Sequence, residues 1–203
     1  MSRRSTVIFD LGGVLIDWNP RYLYRTFFKG DEPAMEDFLT GVCTSDWNLQ
    51  QDAGRCRDDA VAVLMDRHAD KRHLIDAWFD RFDEMIPNAI QGTVEILDEL
   101  RQHGTPIYAL TNFGPDTFPI AQRRYEFLSW FRGITVSGYI KLTKPDPRIY
   151  RHLLETYGVA AEDAVFIDDV PKNVAGAAAV GLHGIHFTDP AALRRELQSL
   201  ALL

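Results

Sequence analysis

Three short apolar runs of the sequence each end at residues whose side chains are suited to phosphoryl transfer. The runs are Val7–Phe9, Pro106–Leu110 and Ala164–Ile167. The residues that follow them are Asp10, the pair Thr111 and Asn112, and the pair Asp168 and Asp169. With Lys144, these residues offer a carboxylate nucleophile, hydroxyl and amide donors, a cation and a carboxylate pair. Phosphoryl transfer through an aspartyl intermediate needs this combination, with Mg²⁺ and a lysine offsetting the repulsion between phosphate and nucleophile.

These residues converge if the three runs are strands of one parallel sheet. Each run is short, apolar on both faces and followed by a turn, which is typical of strands covered by helices on both sides. Runs at 134–137 and 183–187 predict two more strands, and helical patterns at 93–103, 147–157 and 173–180 lie between the runs. The alternation predicts a doubly wound α/β core, in which ligands bind beyond the carboxyl ends of the strands.

Residues 17–87 interrupt this alternation. Their apolar residues recur at helical spacing in several short segments, and no convincing strand pattern appears among them. We therefore predict a helical bundle inserted directly after the first strand. The predicted division is an α/β core of residues 1–16 and 88–203 with a helical cap of residues 17–87.

Composition excludes several classes of partner. The 203 residues carry a net charge of −7 without a dense run of Lys and Arg, which argues against nucleic-acid binding. The N-terminal residues lack the apolar stretch of a signal peptide, and no later segment is long enough to span a bilayer. Cys43 and Cys56 are expected to be free thiols. These features predict a cytoplasmic protein.

Four segments resemble, in order and spacing, the four motifs of the haloacid dehalogenase (HAD) superfamily. The segments are Phe9–Leu15, Leu110–Asn112, Lys144–Pro147 and Ile167–Asn173. Each segment alone is a weak signal, but together they span nearly the whole chain. The resemblance implies a Rossmann-like core, a helical cap after the first strand and hydrolase activity. It is strongest to sugar-phosphate phosphatases whose first motif reads Asp-Leu-Gly.

The resemblance also implies roles for the reacting groups. Asp10 is expected to be the nucleophile that attacks phosphorus. Thr111 and Asn112 are expected to hold the oxygens of the transferring group. Lys144 is expected to pair with the phosphate and to keep Asp10 ionised.

A magnesium site is the second implication of the resemblance. Its expected ligands are the Asp10 and Asp169 carboxylates and the Gly12 carbonyl. Asp168 is expected to act on the metal through water or to orient its neighbour, and Asn173 is expected to support that loop.

Gly12 is the one departure from the commonest motif, because phosphatases of the superfamily usually have an aspartate there as general acid and base. Glycine cannot donate a proton to the leaving oxygen, a contribution worth about 10² to 10⁴ in rate. Asp17 and the cap residue Asp46 are two candidates for the missing acid, and the sequence does not choose between them.

The favoured function is therefore Mg²⁺-dependent hydrolysis of a small phosphorylated metabolite, such as a sugar phosphate. One alternative is a metal-independent 2-haloacid dehalogenase, in which Asp10 displaces halide and Arg21 or Arg25 binds the substrate carboxylate. The paired carboxylates argue against this alternative, because they would repel an anionic haloacid. A second alternative is a binding protein that has lost turnover through Gly12.

Overall fold

The computed structural model describes residues 4–203 and contains a five-stranded parallel sheet with the order β5-β4-β1-β6-β7. The strands are β1 (Thr6–Phe9), β2 (Ile16–Asp17), β3 (Asn88–Ala89), β4 (Ile107–Thr111), β5 (Gly133–Val136), β6 (Ala164–Asp168) and β7 (His183–His186). All five predicted core strands are present within one or two residues of their expected ends. The predicted doubly wound α/β class is confirmed.

Helices surround the sheet and fill the insertion. They are α1 (Arg21–Phe28), α2 (Glu32–Gly41), α3 (Ser45–Asp52), α4 (Arg57–His68), α5 (Arg72–Asp80), α6 (Gln91–Gln102), α7 (Phe118–Arg124), α8 (Ser137–Ile140), α9 (Pro147–Tyr157), α10 (Pro171–Ala178) and α11 (Pro190–Ser199). Among residues 4–203, no helix combines the length and the apolar character needed to cross a bilayer. Cys43 and Cys56 are free, as predicted.

Side chains of β1 alternate between two apolar clusters, one on each face of the sheet. Val7 and Phe9 belong to the larger cluster, which includes residues of α6, α11 and the insertion. Ile8 belongs to the smaller cluster, which includes residues of α9 and α10. Since successive residues of a strand point to opposite faces, a sheet covered on both sides needs apolar residues throughout. The uninterrupted apolar runs of the sequence are thereby explained.

The register of the strands places the predicted site residues side by side at the carboxyl edge of the sheet. β1 lies between β4 and β6, and Phe9 is the register partner of both Ala109 and Ile167. The Asp10 amide then donates to the Ile167 carbonyl at 2.8 Å, so Asp10 and Asp168 lie side by side at the carboxyl edge. This register is the structural reason why residues far apart in sequence meet.

A small antiparallel ribbon lies where the chain enters and leaves the insertion. Ile16 pairs with Ala89, and Asp17 pairs with Asn88. The expectation of no strand within 17–87 is therefore wrong at Asp17, because a two-residue strand carries no periodicity that a sequence pattern can reveal. The ribbon coincides with both predicted boundaries of the cap. The division into core and cap stays a prediction, and its first three residues lie outside the described part of the chain.

Candidate active site

Asp10 and Lys144 form the centre of the site. Asp10 follows β1 and is 7% exposed, and its Oδ1 accepts a hydrogen bond from the Leu11 amide at 2.7 Å. Lys144 lies in the loop before α9 and is 2% exposed. Its Nζ is 2.8 Å from Asp10 Oδ1 and 2.6 Å from Asp168 Oδ2. One buried ammonium therefore contacts two carboxylates from different strands.

Asn112 fixes the backbone at Lys144. Its Oδ1 accepts a hydrogen bond from the Lys144 amide at 2.8 Å, and its Nδ2 donates to the Lys144 carbonyl at 3.1 Å. The Lys144–Pro145 peptide bond is cis. The Asn112 side chain thus holds the lysine loop with one of its two N–H groups, and the other N–H remains for the expected contact with the transferring group.

Asp168 is fully buried, and both of its oxygens accept hydrogen bonds from protein donors. Oδ1 accepts from the Val170 amide at 2.8 Å and from Asn173 Nδ2 at 3.0 Å. Oδ2 accepts from Lys144 Nζ at 2.6 Å and from the same Asn173 amide at 3.1 Å. Asp168 therefore holds Lys144 in place, a contact that the sequence did not predict, and its expected action on the metal or on Asp169 stays a prediction. Asn173 contacts both oxygens of Asp168, and its supporting role likewise stays a prediction.

Asp169 is close to the glycine turn that follows β1. Gly13 has φ +76°, and a Cβ there would lie no farther than 3.0 Å from any atom of the Asp169 carboxylate group. Gly12 has no such restriction: its φ is outside the left-handed range, and the nearest atom to a Cβ would be the Trp18 Cβ at 3.9 Å. The close approach of the two loops thus depends on Gly13, which sequence reasoning did not single out.

The site concentrates negative charge around one cation. Carboxylate oxygens of Asp10, Asp168 and Asp169 lie within 4.8 Å of one another. Burial raises the pKa of Asp10 to about 7, Lys144 opposes this increase, and Asp168 adds to it. Burial also raises the pKa of Asp169, again with a contribution from Asp168. Desolvation by itself would lower the pKa of Lys144, but the attraction of Asp10 and Asp168 outweighs it and the net shift is upward.

This donor set fits a hard divalent cation. Three carboxylates face one ammonium, so negative charge is left uncompensated within a few ångströms. Mg²⁺ prefers oxygen ligands and is commonly held by one or two carboxylates. Asp10 and Asp169 have carboxylate oxygens available for this purpose, and Gly12 lines the same cavity.

A cavity of about 300 Å³ opens above these groups, between the core and the insertion. The insertion contributes Trp18, Asn48, Leu49, Asp52 and Phe82 to its wall. The core contributes Asp10, Gly12, Gly13, Thr111, Asn112, Phe113, Thr117, Lys144, Asp169, Val170, Lys172 and Asn173. Seven of the eight predicted site residues line the cavity directly. Asp168, the eighth, lies buried behind Lys144.

The two acids that the sequence offered as substitutes for Gly12 do not line this cavity. Asp17 accepts a hydrogen bond from the Tyr22 hydroxyl at 2.8 Å, and Asp46 lies on a neighbouring cavity instead. Among the described residues of the wall, the carboxylates are Asp10, Asp52 and Asp169. Sequence reasoning missed Asp52, since α3 has a weak apolar pattern and its contact with the core is long-range.

The arginines required by the dehalogenase alternative are paired elsewhere. Arg21 donates to both carboxylate oxygens of Glu36, at 2.5 and 2.7 Å. Arg25 lies 3.0 Å from Glu32. Neither arginine is among the described residues that line the cavity containing Asp10. Arg25 is therefore poorly placed to bind the carboxylate of a haloacid there, whereas Arg21 lines the adjoining cavity while paired with Glu36.

Comparison with known proteins gives a consistent family. The sequence profile of haloacid dehalogenase-like hydrolases matches residues 5–181. The chain is 31% identical to the sesquiterpene phosphatase astK of Aspergillus oryzae, over 97% of this chain and 96% of that protein. It is 26% identical to the phosphorylated carbohydrates phosphatase of Thermotoga maritima, over 90% and 84% of the two proteins.

Solved structures share the fold. A HAD family enzyme of Bacteroides thetaiotaomicron, in complex with magnesium and inorganic phosphate, superimposes with a TM-score of 0.70 at 22% identity, covering 92% of this chain and 95% of that one. A 2-haloacid dehalogenase of Pseudomonas syringae pv. tomato superimposes with a TM-score of 0.61 at 19% identity, covering 97% and 99%. At these identities the likeness concerns the fold alone.

Proposed function

The chain belongs to the haloacid dehalogenase-like hydrolases, and from this premise we propose that it hydrolyses a phosphate monoester with Asp10 as nucleophile and Mg²⁺ as cofactor. The observation that carries the proposal is the cluster of three carboxylates around Lys144 at the floor of a cavity. Such a cluster is suited to an anionic substrate only when a divalent cation offsets the charge.

Asp10 attacks phosphorus, and one of its carboxylate oxygens forms the new bond as the ester oxygen departs with the bonding electrons. Water then cleaves the aspartyl phosphate and restores the carboxylate. Thr111 and Asn112 line the cavity, and they would hold phosphate oxygens there. Lys144 contacts Asp10 directly, so its charge favours the ionised nucleophile and the incoming phosphate.

The residues that would hold Mg²⁺ are Asp10 and Asp169 through their carboxylates and Gly12 through its carbonyl. When bound, the ion supplies positive charge between the nucleophile and the phosphate. Asp168 and Asn173 keep Lys144 in place through hydrogen bonds of 2.6 to 3.1 Å.

Phosphatase activity is better supported than the dehalogenase alternative. The carboxylate cluster would repel a haloacid in the absence of metal, and Arg21 and Arg25 are paired with glutamates. The relative with 31% identity over nearly the full length is a phosphatase. The alternative of a binding protein without turnover depends on Gly12 as a lesion, and Asp52 on the cavity wall weakens that argument.

We further propose that residues 17–87 act as a cap that selects the organic part of the substrate. A second cavity of about 370 Å³ shares Trp18, Asn48, Leu49, Asp52 and Lys172 with the first and extends between the helices of the insertion. Trp18, Leu39, Leu49 and Trp78 form an apolar part of its wall, beside charged residues such as Arg21 and Asp46. The apolar part favours a hydrocarbon group over a polar sugar.

This wall favours a second substrate candidate beside the predicted sugar phosphate. The relative astK is named for a sesquiterpene substrate, so a terpenoid monophosphate fits both observations. The Thermotoga maritima relative is named for phosphorylated carbohydrates and supports the sugar candidate. Comparing kcat/KM for farnesyl monophosphate and glucose 6-phosphate separates the two, and we expect the farnesyl compound to be preferred.

Release of inorganic phosphate from p-nitrophenyl phosphate tests the reaction itself. We expect turnover with Mg²⁺ and its loss in excess chelator. Undiminished turnover in chelator would contradict the metal assignment, and halide release from a 2-haloacid would favour the dehalogenase instead.

A further inference from the structure

We infer that Asp52, at the end of α3, is the general acid that protonates the leaving oxygen. This role deepens the proposed phosphatase function and rests on it. Gly12 stands where related phosphatases have their acid, so the proton must come from another group that reaches the cavity. Asp52 lines the cavity of Asp10 and also the second cavity, so it lies where the phosphate and organic parts of a substrate would join.

Two contacts hold the end of α3 against the core. The Ser137 hydroxyl donates to the Asp52 carbonyl at 2.6 Å and accepts from the Phe113 amide at 2.9 Å. Gly54 comes so close to the core that a Cβ there would lie 2.9 Å from the Gly138 carbonyl oxygen. Because Phe113 directly follows Asn112, this anchor fixes Asp52 relative to the end of β4.

The Asp52 carboxyl is free to act on a substrate. Its Oδ2 accepts one hydrogen bond of 3.2 Å from Asn48, and no other donor to the Asp52 carboxyl occurs in the part of the chain that the structure describes. The other carboxylates on the wall are Asp10 and Asp169, which have assigned roles as nucleophile and metal ligand. Asp52 is therefore the carboxyl left for proton transfer.

The environment of Asp52 favours a protonated carboxyl near neutral pH. Burial raises its pKa to about 7, and the attraction of Lys144 opposes this increase. The charged residues that line the first cavity with it are Asp10, Lys144, Asp169 and Lys172, and the second cavity adds Arg21 and Asp46. A general acid works best when its pKa lies near the working pH, so this carboxyl is suited to donate a proton.

Asp52 donates its proton as the ester bond breaks. Asp10 forms a bond to phosphorus, the phosphorus–ester oxygen bond breaks, and its electron pair stays on the leaving oxygen. That oxygen takes the proton of the Asp52 carboxyl and departs as an alcohol. Water then forms a bond to phosphorus and gives a proton to the Asp52 carboxylate. The bond between phosphorus and the Asp10 oxygen breaks, its electron pair returns to the Asp10 carboxylate, and inorganic phosphate leaves.

Leaving-group dependence separates this role from a structural one. Phenol, like the tyrosine side chain, has a pKa of about 10, whereas p-nitrophenol is far more acidic and departs without protonation. We expect Asp52→Asn to lower kcat/KM for phenyl phosphate about 100-fold or more, and to lower it less than about fivefold for p-nitrophenyl phosphate. The control is Asp37→Asn, an exposed residue of α2 outside both cavities, which should change neither value.

A rescue variant completes the test. Gly12→Asp should restore phenyl phosphate hydrolysis in the Asp52→Asn background, because position 12 has room for a side chain and an ordinary φ. Equal losses on both substrates, or no loss on phenyl phosphate, would overturn the assignment while the phosphatase function stands. A wild-type protein that cleaves neither ester with Mg²⁺ would overturn the phosphatase function itself.

The pH dependence of kcat/KM of the wild-type protein tests the same role without a variant, should Asp52→Asn not fold. With phenyl phosphate, kcat/KM should fall as pH rises through the pKa of the acid, because the donor form is lost. With p-nitrophenyl phosphate that decline should be absent or much weaker. The same alkaline decline for both substrates would overturn the role of Asp52.

Discussion

At the scale of single residues, the site is organised by hydrogen bonds to Asp168 more than by direct contacts of the nucleophile. Asp168 holds Lys144 and Asn173, and Lys144 in turn contacts Asp10. Asp169, its neighbour in sequence, faces the cavity instead. The two adjacent aspartates therefore have different roles. Loss of Asp168 should mainly reduce stability, and loss of Asp169 should mainly reduce Mg²⁺ affinity.

Alanine at each aspartate tests this division. Asp168→Ala removes one of the two carboxylates that contact the buried Lys144 ammonium and should lower the free energy of unfolding by about 1.5 to 3 kcal/mol. Asp169→Ala should change stability little and weaken Mg²⁺ affinity more than Asp168→Ala does. Thermal unfolding in chelator and metal titration by calorimetry measure the two effects. Equal loss of metal affinity with equal stability in both variants would contradict the division.

The glycine pair after Asp10 offers a matched comparison. Gly12→Ala should be tolerated, since its φ is ordinary and the space around a Cβ is open. Gly13→Ala should cost about 1 to 2 kcal/mol, because its φ of +76° disfavours a Cβ and the Asp169 carboxylate must move. Chemical denaturation measures both. Equal stability of the two variants would contradict the assigned role of Gly13.

Titration of Asp52 should also make the free energy of unfolding depend on pH. Its pKa rises from 3.8 to about 7 on folding, so between these values the folded protein holds a proton that the unfolded chain has released. The contribution of Asp52 is therefore most favourable at pH 4 and is lost as pH rises to 7. Without metal, the thermal midpoint of Asp52→Asn should rise relative to that of the wild type as the pH is raised from 4 to 8. A constant difference would argue against the raised pKa.

At the scale of elements, the core strands could be predicted from the sequence, whereas the position of α3 over the site could not. Apolar runs ending at Asp10, Thr111 and Asp168 reveal buried parallel strands, because both faces of each strand are covered. The four motifs then indicate which side chains meet. Helix α3 lies within the predicted helical insertion but has no clear pattern of its own, since Trp47 and Leu49 are its only large apolar residues. Its place over the site depends on Ser137, a partner 85 residues away that no local pattern indicates.

Ser137 is thus a positioning residue for α3. It is fully buried and joins the Asp52 carbonyl to the Phe113 amide. Ser137→Ala should cost about 1 to 3 kcal/mol, because two buried groups lose their partner. It should also lower kcat/KM for phenyl phosphate more than for p-nitrophenyl phosphate. A loss of stability with equal effects on the two esters would mean that Ser137 supports the fold without positioning the acid.

At the scale of the whole molecule, the site lies between two parts of the chain that share one apolar cluster. Val7 and Phe9 of the sheet belong to the same cluster as Tyr24 and Trp78 of the insertion. The core supplies the nucleophile and the lysine, and the insertion supplies Asp52 and the second cavity. We therefore expect the core to determine the attack on phosphorus, and the insertion to determine proton transfer and substrate preference.

The most direct test of the central claim is to trap the covalent intermediate on Asp10. Protein mixed with Mg²⁺ and a substrate carrying radiolabelled phosphate is quenched in acid during turnover, digested and mapped by mass spectrometry. We predict that the label resides on the peptide containing Asp10 and that Asp10→Asn, although folded, acquires none. Label on a different residue, or an Asp10→Asn variant that becomes labelled as the wild type does, would contradict the account.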